Sequence, residues 1–239
     1  MIVATTEVQN NFGKYLKSAS EGEDILITSH NRIIAALISY KEYDSRFELH
    51  EGISEYVHAG MKVSYQEFLK IAEKSENRYE YIDGQIYMLS SPTYSHQKAV
   101  REIYMEFITW FKGKPCEPLA SPFDVTLFKG DDGANVVQPD ILVFCDKENI
   151  DAKGKYMGTP SLVVEVISES TSSKDFVKKL DLYMQSGIRE YWIVNPLSKA
   201  VNVFVFEDAK IKNMTAFKDL ERAESLIFDG LGVHLKNVF

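Results

Sequence analysis

At 239 residues, with 45% apolar and 26% charged residues and a net charge of −8, the chain is long enough for one or two cores and too apolar to be disordered. A pI near 5.2 argues against coating nucleic acid through bulk charge, but leaves open a site where a metal offsets carboxylates. No uncharged stretch approaches the about 20 residues of a membrane helix, no leader pattern opens the sequence, and Cys116 and Cys145 stand in no metal-ligand spacing, so the expectation is a cytoplasmic protein with two reduced thiols.

Residues 1–46 read as one small unit. IVAT is a short strand, after which Thr5 or Thr6 can cap a helix that has Glu7 in its first turn. Val8, Phe12, Tyr15, Leu16 and Ala19 recur at helical spacing, which predicts two short helices broken near Asn11. ILIT and IIAALI flank Ser29, His30 and Asn31 as a hairpin, and KEYDSRF restarts a helix. Residues 47–60 read as a linker, with Gly60 as the boundary.

A second pattern runs over residues 61–239. Ser64 and Glu67 form a capping box for the helix YQEFLKIAEK, and Asp83-Gly84 turns the hairpin YEYIDGQIYML. Apolar positions from 99 to 111 predict an amphipathic helix over Tyr94 to Phe111. FDVTLF, DILVF and LVVEVI read as strands, followed by a helix from about Ser173 to Ser186 that stops at Gly187, and then by the strands YWIVN and VNVFVF. The tail SLIFDGLGVHLKNVF adds two short strands, or a strand and a turn. Hairpins and long helices around one mixed sheet make an α/β (α+β) fold.

Two carboxylates sit where burial should exclude them. Asp140 opens the apolar strand ILVF, and Glu165 lies inside LVVEVI. An ionised carboxylate there costs several kcal/mol unless it is paired or bound to metal. The alternative is that both lie at a strand edge or on a solvated face. On adjacent strands they would make a hard-oxygen site for Mg²⁺ or Mn²⁺. In the helix from Ser173, Lys179 lies about 100° from the centre of the apolar face and can snorkel inward, whereas Lys178 lies about 160° away, in solvent. His96, in the first turn of its helix, reads as a core-capping histidine or a site residue.

The segments RYEYIDGQIYMLSSPTYSHQ, VVQPDILVFCD, GTPSLVVEVISESTSSKDFVKKLDLYMQSGIREYWIVNP and SLIFDGLGVHL resemble the Uma family of endonucleases, of the restriction-endonuclease-like PD-(D/E)XK superfamily, over about 62–239. The resemblance implies a mixed central sheet flanked by helices, with Pro139-Asp140 as the PD element and Glu165 as the (D/E) element. Ile167 stands where that pattern has lysine. The family's lysine is carried by the following helix, in the segment Asp175, Lys179, Leu180 and Tyr183. By the same resemblance Glu80 is a further acidic residue and His96 the histidine of S-x-x-H. The implied metal ligands are Asp140, Glu165, the Val166 carbonyl and Glu80, holding Mg²⁺ or Mn²⁺. Residues 1–46 resemble the Phd/YefM antitoxins, which implies a module that dimerises and binds DNA; a module that only dimerises is the alternative, favoured by the −4 charge of residues 1–60.

The function expected is metal-dependent hydrolysis of nucleic acid, DNA before RNA, by a homodimer or larger assembly away from membranes. The alternatives are a catalytically silent DNA-binding regulator and a nuclease restrained in cis by its N-terminal module.

Overall fold

The computed structural model describes residues 2–21, 25–29, 32–37, 60–130, 133–152, 154–167 and 173–239. The chain divides into two compact units, residues 1–58 and 59–239. The expected helix over KEYDSRF, the turn residues His30 and Asn31, and the linker up to residue 59 lie outside the described residues.

In the first unit β1 (Ile2–Ala4) leads directly into α1 (Thr5–Asn10) and α2 (Phe12–Ser20), followed by β2 (Ile25–Ser29) and β3 (Arg32–Leu37). The sheet order is β1-β2-β3, with β1 parallel to β2 and β2 antiparallel to β3. Asn11 breaks the two helices, as the periodicity predicts. The capping expectation is corrected: Ala4 is the N-cap, without a side-chain cap hydrogen bond. Thr5 instead donates its hydroxyl to the Thr28 carbonyl at 2.8 Å. With no loop between β1 and α1, this hydroxyl ties helix to sheet. Val3, Val8, Tyr15, Ala19 and Ile25 form the core.

The second unit opens with α3 (Tyr65–Lys74), whose capping box is complete: Ser64 Oγ accepts from the Glu67 amide, and the Ser64 amide donates to Glu67 Oε2 at 2.8 Å. β4 (Tyr79–Ile82) and β5 (Gln85–Met88) pair across Asp83 and Gly84, at φ 51° and 79°, the left-handed pair that a two-residue hairpin turn needs. The chain continues through α4 (Tyr94–Phe111), β6 (Glu117–Ala120), β7 (Val125–Phe128), β8 (Ala134–Val137), β9 (Ile141–Phe144) and β10 (Leu162–Val166). Then come α5 (Ser173–Gln185), β11 (Glu190–Asn195), β12 (Ala200–Glu207), β13 (Lys210–Lys218), β14 (Arg222–Glu224), β15 (Gly232–His234) and α6 (Leu235–Val238).

A six-stranded sheet has the order β13-β12-β11-β10-β9-β6, and a four-stranded one β5-β4-β8-β7. Within the six-stranded sheet β10 and β11 run parallel and the other pairs antiparallel, so this is the mixed sheet expected. A parallel pair needs a crossover, and α5 supplies it. Alternate residues divide between two cores. Ile141, Val143, Leu162, Val164, Trp192 and Val194 pack against α4 and the C-terminal segment. Leu142, Phe144, Val163, Tyr191 and Ile193 pack on the opposite face, with Leu182 and Tyr183 of α5 and with Val125, Leu127 and Val137 of the smaller sheet. Covered on both faces, the central strands read as continuous apolar runs rather than alternations.

Four strands escape the sequence reading, among them the three-residue β14. β6 contains Pro118, β8 is four residues long, and β13 is an edge strand exposed along most of its length. The thiol expectation is also corrected: Cys116 and Cys145 form a disulfide. β6 and β9 are antiparallel with Glu117 opposite Phe144, so the two cysteines face each other one residue beyond the paired strands. Register brings them together, and no spacing motif could show it. The cytoplasmic expectation loses the support it drew from reduced thiols. Among the described residues no helix is long and apolar enough to cross a membrane.

Candidate active site

The β9–β10 register pairs Leu162 with Val143, Val163 with Leu142 and Val164 with Ile141, which carries Glu165 opposite Asp140 at the end of the ladder. Side chains alternate along a strand. Glu165 therefore shares the face of Val163, toward α5, and Asp140 shares that of Leu142. The Val166 amide donates to Asp140 Oδ2 at 2.8 Å and fixes the carboxylate against the neighbouring strand. Glu165 is 9% exposed, so the solvated-face alternative does not hold for it.

α5 brings the cation. Lys179 and Tyr183 are four residues apart, hence on one helical face. Lys179 Nζ lies 2.8 Å from Glu80 Oε1 and 2.9 Å from Glu165 Oε1, and the Tyr183 hydroxyl donates to Glu165 Oε1 at 2.6 Å. Glu80 comes from β4, a strand buried at every position, and its Oε1 also accepts from the Gln138 amide at 3.0 Å. The fifth residue, His96, lies in the first turn of α4, whose N-cap is Thr93. Its Nε2 is 3.2 Å from Asp140 Oδ2, and its buried Nδ1 has no partner among the described residues. Glu80, His96, Asp140, Glu165, Val166 and Lys179 all line one cleft. The structure thus brings together the side chains of Glu80, His96, Asp140, Glu165 and Lys179. The side chain of Asp175 lies outside the described residues.

Burial raises the Glu165 carboxyl, Asp140 and Glu80 raise it further, and Lys179 and Tyr183 act against them, leaving it at about 7. Burial works against the Lys179 charge, but the two carboxylates outweigh it and hold the ammonium firmly protonated. Burial also disfavours the His96 imidazolium, yet its bond to Asp140 carries the group above its ordinary value. Tyr183 is held far above the ordinary phenol by burial and by Glu165. Within the five residues, three carboxyl groups thus face one lysine and one histidine.

The sequence reading missed one contribution, named Tyr183 only as part of a family segment without a role, and misplaced one residue. Gln138 acts on Glu80 through its backbone amide, which side-chain identity cannot reveal. Tyr183 counts as an apolar position on the helical wheel; its place four residues after Lys179 is the available signal. Lys178, expected in solvent, is half-buried on the cleft, because the smaller sheet covers that flank of α5 as well.

The comparisons with known proteins agree with this architecture. Residues 1–52 match the family described as "Antitoxin Phd_YefM, type II toxin-antitoxin system". An uncharacterized protein of Synechocystis sp., slr1290, is 28% identical over 144 residues, 60% of this chain and 74% of that protein. A crystal structure from Anabaena variabilis, described as "a putative nuclease belonging to DUF820", aligns with TM-score 0.61 and 20% identity over 74% of this chain and 97% of that one. That likeness shows the restriction-endonuclease-like fold. The match that spans most of the chain, residues 65–236, is to Uma2, described as "Putative restriction endonuclease", and the chain belongs to that family.

Proposed function

We propose that this protein hydrolyses phosphodiester bonds of nucleic acid, DNA before RNA, at the cleft formed by Asp140, Glu165, Glu80, Lys179 and His96, with Mg²⁺ or Mn²⁺ as cofactor. The observation that carries the reading is the convergence of three carboxylates and one buried lysine from four separate elements. The donor chemistry fits a hard divalent cation, because carboxyl oxygens dominate the set. Among the described residues no three His, Cys, Asp or Glu side chains are grouped so as to hold a metal ion by themselves. Glu80 is engaged by Lys179 and Gln138. Asp140 and Glu165, which face each other across β9 and β10, would be the direct holders, with the Val166 carbonyl beside them, and Glu80 contributes charge and holds Lys179. When bound, the metal supplies an acidified water and neutralises phosphate charge.

The protein's own groups do the rest. Lys179 stays charged, so it serves as an electrostatic partner for the phosphate and an orienting donor for water, not as a base. His96 holds Asp140, and Tyr183 holds Glu165, in fixed orientations. The test is calorimetry with Mn²⁺ alongside cleavage of plasmid DNA with and without Mg²⁺. Wild type should bind Mn²⁺ and cut only with metal, and Asp140→Ala and Glu165→Ala should each abolish both. Equal heats for all three proteins, or metal-independent cutting, would sink the reading.

The N-terminal unit is proposed to pair with a second copy and to contact DNA. A unit of about this length has little core for independent stability, and Phe12 and Leu16, one turn apart on α2, are both about half exposed. Light scattering on the full chain should give at least twice 27.3 kDa. A monomer would remove the pairing role.

A further inference from the structure

We propose a second anion subsite in the same cleft, formed by Lys178 and Arg78, that grips the phosphate next to the one cleaved. The substrate is then a phosphodiester chain with at least two phosphates, not an isolated diester. The inference rests on the proposed nuclease reading and deepens it.

Both cations line the cleft, and both are half-buried. Among the described residues neither has a carboxylate partner, whereas Lys129 and Lys179 each sit between two. Among the described residues Lys178 Nζ is held by neutral groups: 3.3 Å from Gln85 Oε1, against the Tyr87 hydroxyl, and 4.8 Å from the centre of the Tyr87 ring. Tyr87 in turn donates to Gln85 Oε1 at 2.8 Å, so the ammonium is fixed in place. Partly removing a cation from water without a counter-charge is unfavourable, and positioning it against a sheet adds an entropy cost. An anion from outside offsets both.

The placement follows from the hairpin. Glu80 pairs with Tyr87 across β4 and β5, so the two share a face, and Arg78 precedes Glu80 by two residues on that same side. The Leu89 amide donates to the Arg78 carbonyl at 2.9 Å, extending the ladder to that position. On α5, Lys178 is next to Lys179, which bonds Glu80. The two cations thus flank the carboxylate cluster on the wall of the same cleft. A strand whose scissile phosphate lies at Asp140 and Glu165 can set its next phosphate on Lys178 and Arg78. Arginine's fork and lysine's point charge both suit a phosphate.

Calorimetry on the full chain in Ca²⁺ separates this subsite from the cleavage reading. The probes are the thymidine dinucleotide TpT, with one phosphate, and its 5′-phosphorylated form pTpT, with two. Wild type should bind pTpT about tenfold more tightly than TpT, the worth of one charge-assisted contact. Lys178→Met, which keeps a stem over Tyr87, and Arg78→Ala should each erode that preference, and together reduce it to within about twofold. The exposed Lys210→Ala, matched in charge, should keep it. Equal binding of both probes to wild type, absence of binding included, would overturn the subsite, as would a preference that survives in the double variant. If the preference appears and depends on both residues but no DNA is cut with Mg²⁺ or Mn²⁺, the subsite stands and the nuclease reading falls. If DNA is cut without the preference, the subsite falls alone.

Discussion

Replacing Lys179 by alanine should cost both activity and stability, and the stability loss should grow with pH. Lys179 bonds two carboxylates that are themselves buried, Glu80 at 3% exposure and Glu165 at 9%. Removing one partner of a buried ion pair costs about 3–5 kcal/mol, because the other charge is left unpaired in low dielectric. A surface lysine would cost well under about 1 kcal/mol, so the magnitude alone separates the two cases. Cleavage should fall by about 10²–10³-fold, the range seen when a donor to the transition-state charge is removed. The pH dependence follows from Glu165. Its carboxyl is raised from 4.5 to about 7, so the folded protein binds the extra proton more readily than the unfolded chain. That contribution is complete below about pH 4.5 and is lost as pH rises through 7. Without Lys179, which acts to lower it, the carboxyl rises further. The variant should therefore run parallel to wild type up to about pH 7 and fall away from it above that. Thermal melts of both proteins between pH 4.5 and 8 measure this; a constant difference across the range, or none, would show that Lys179 does not compensate Glu165.

Glu190→Ala should be destabilising on a similar scale without touching the cleft. Glu190 opens β11 and is fully buried. Its Oε1 accepts from Trp192 Nε1 at 2.7 Å, and its Oε2 from the amides of Leu226 at 2.6 Å and Ile227 at 3.1 Å. The carboxylate is thus the acceptor for three buried or half-buried donors, two of them on the segment that carries Leu231 and Val233 into the core beside α4. Alanine strands those donors, each at about 1–3 kcal/mol, and opens a cavity as well. We expect a loss of at least about 3 kcal/mol in urea unfolding, and Glu190→Gln, which keeps one acceptor oxygen, should recover part of it. Alanine and glutamine variants equal to wild type would show that the segment is held by packing alone. Burial holds the Glu190 carboxyl above its ordinary value despite the donors around it. Its contribution therefore weakens, rather than strengthens, as pH rises through that raised value.

Much of the fold is legible in the sequence because local rules and packing agree there. The Ser64–Glu67 box, the Asp83-Gly84 turn and the helix over Tyr94–Phe111 each carry their signal within a few residues. Asp140 and Glu165 attract notice for an energetic reason: a carboxylate inside an apolar strand needs a partner. Misreadings occur where the deciding neighbour is remote. The apolar moment of α5 says which face meets the main sheet, but Lys178 is half-buried because a second sheet closes over its flank. Thr5 looks like a cap until Thr28, on a strand far along the chain, takes its hydroxyl.

What the sequence by itself determined is the order and type of most elements, the mixed sheet and the residue types able to hold a cation, since these depend on periodicity, turn chemistry and the cost of burying charge. Only the tertiary structure decided which of these meet. The antiparallel registers of β9 with β10 and of β6 with β9 set Glu165 opposite Asp140 and Cys116 beside Cys145, and the crossover through α5 lowers Lys179 between Glu80 and Glu165. Strand register and helix placement are settled by burying whole faces at once, a property of the assembled core that no single segment encodes.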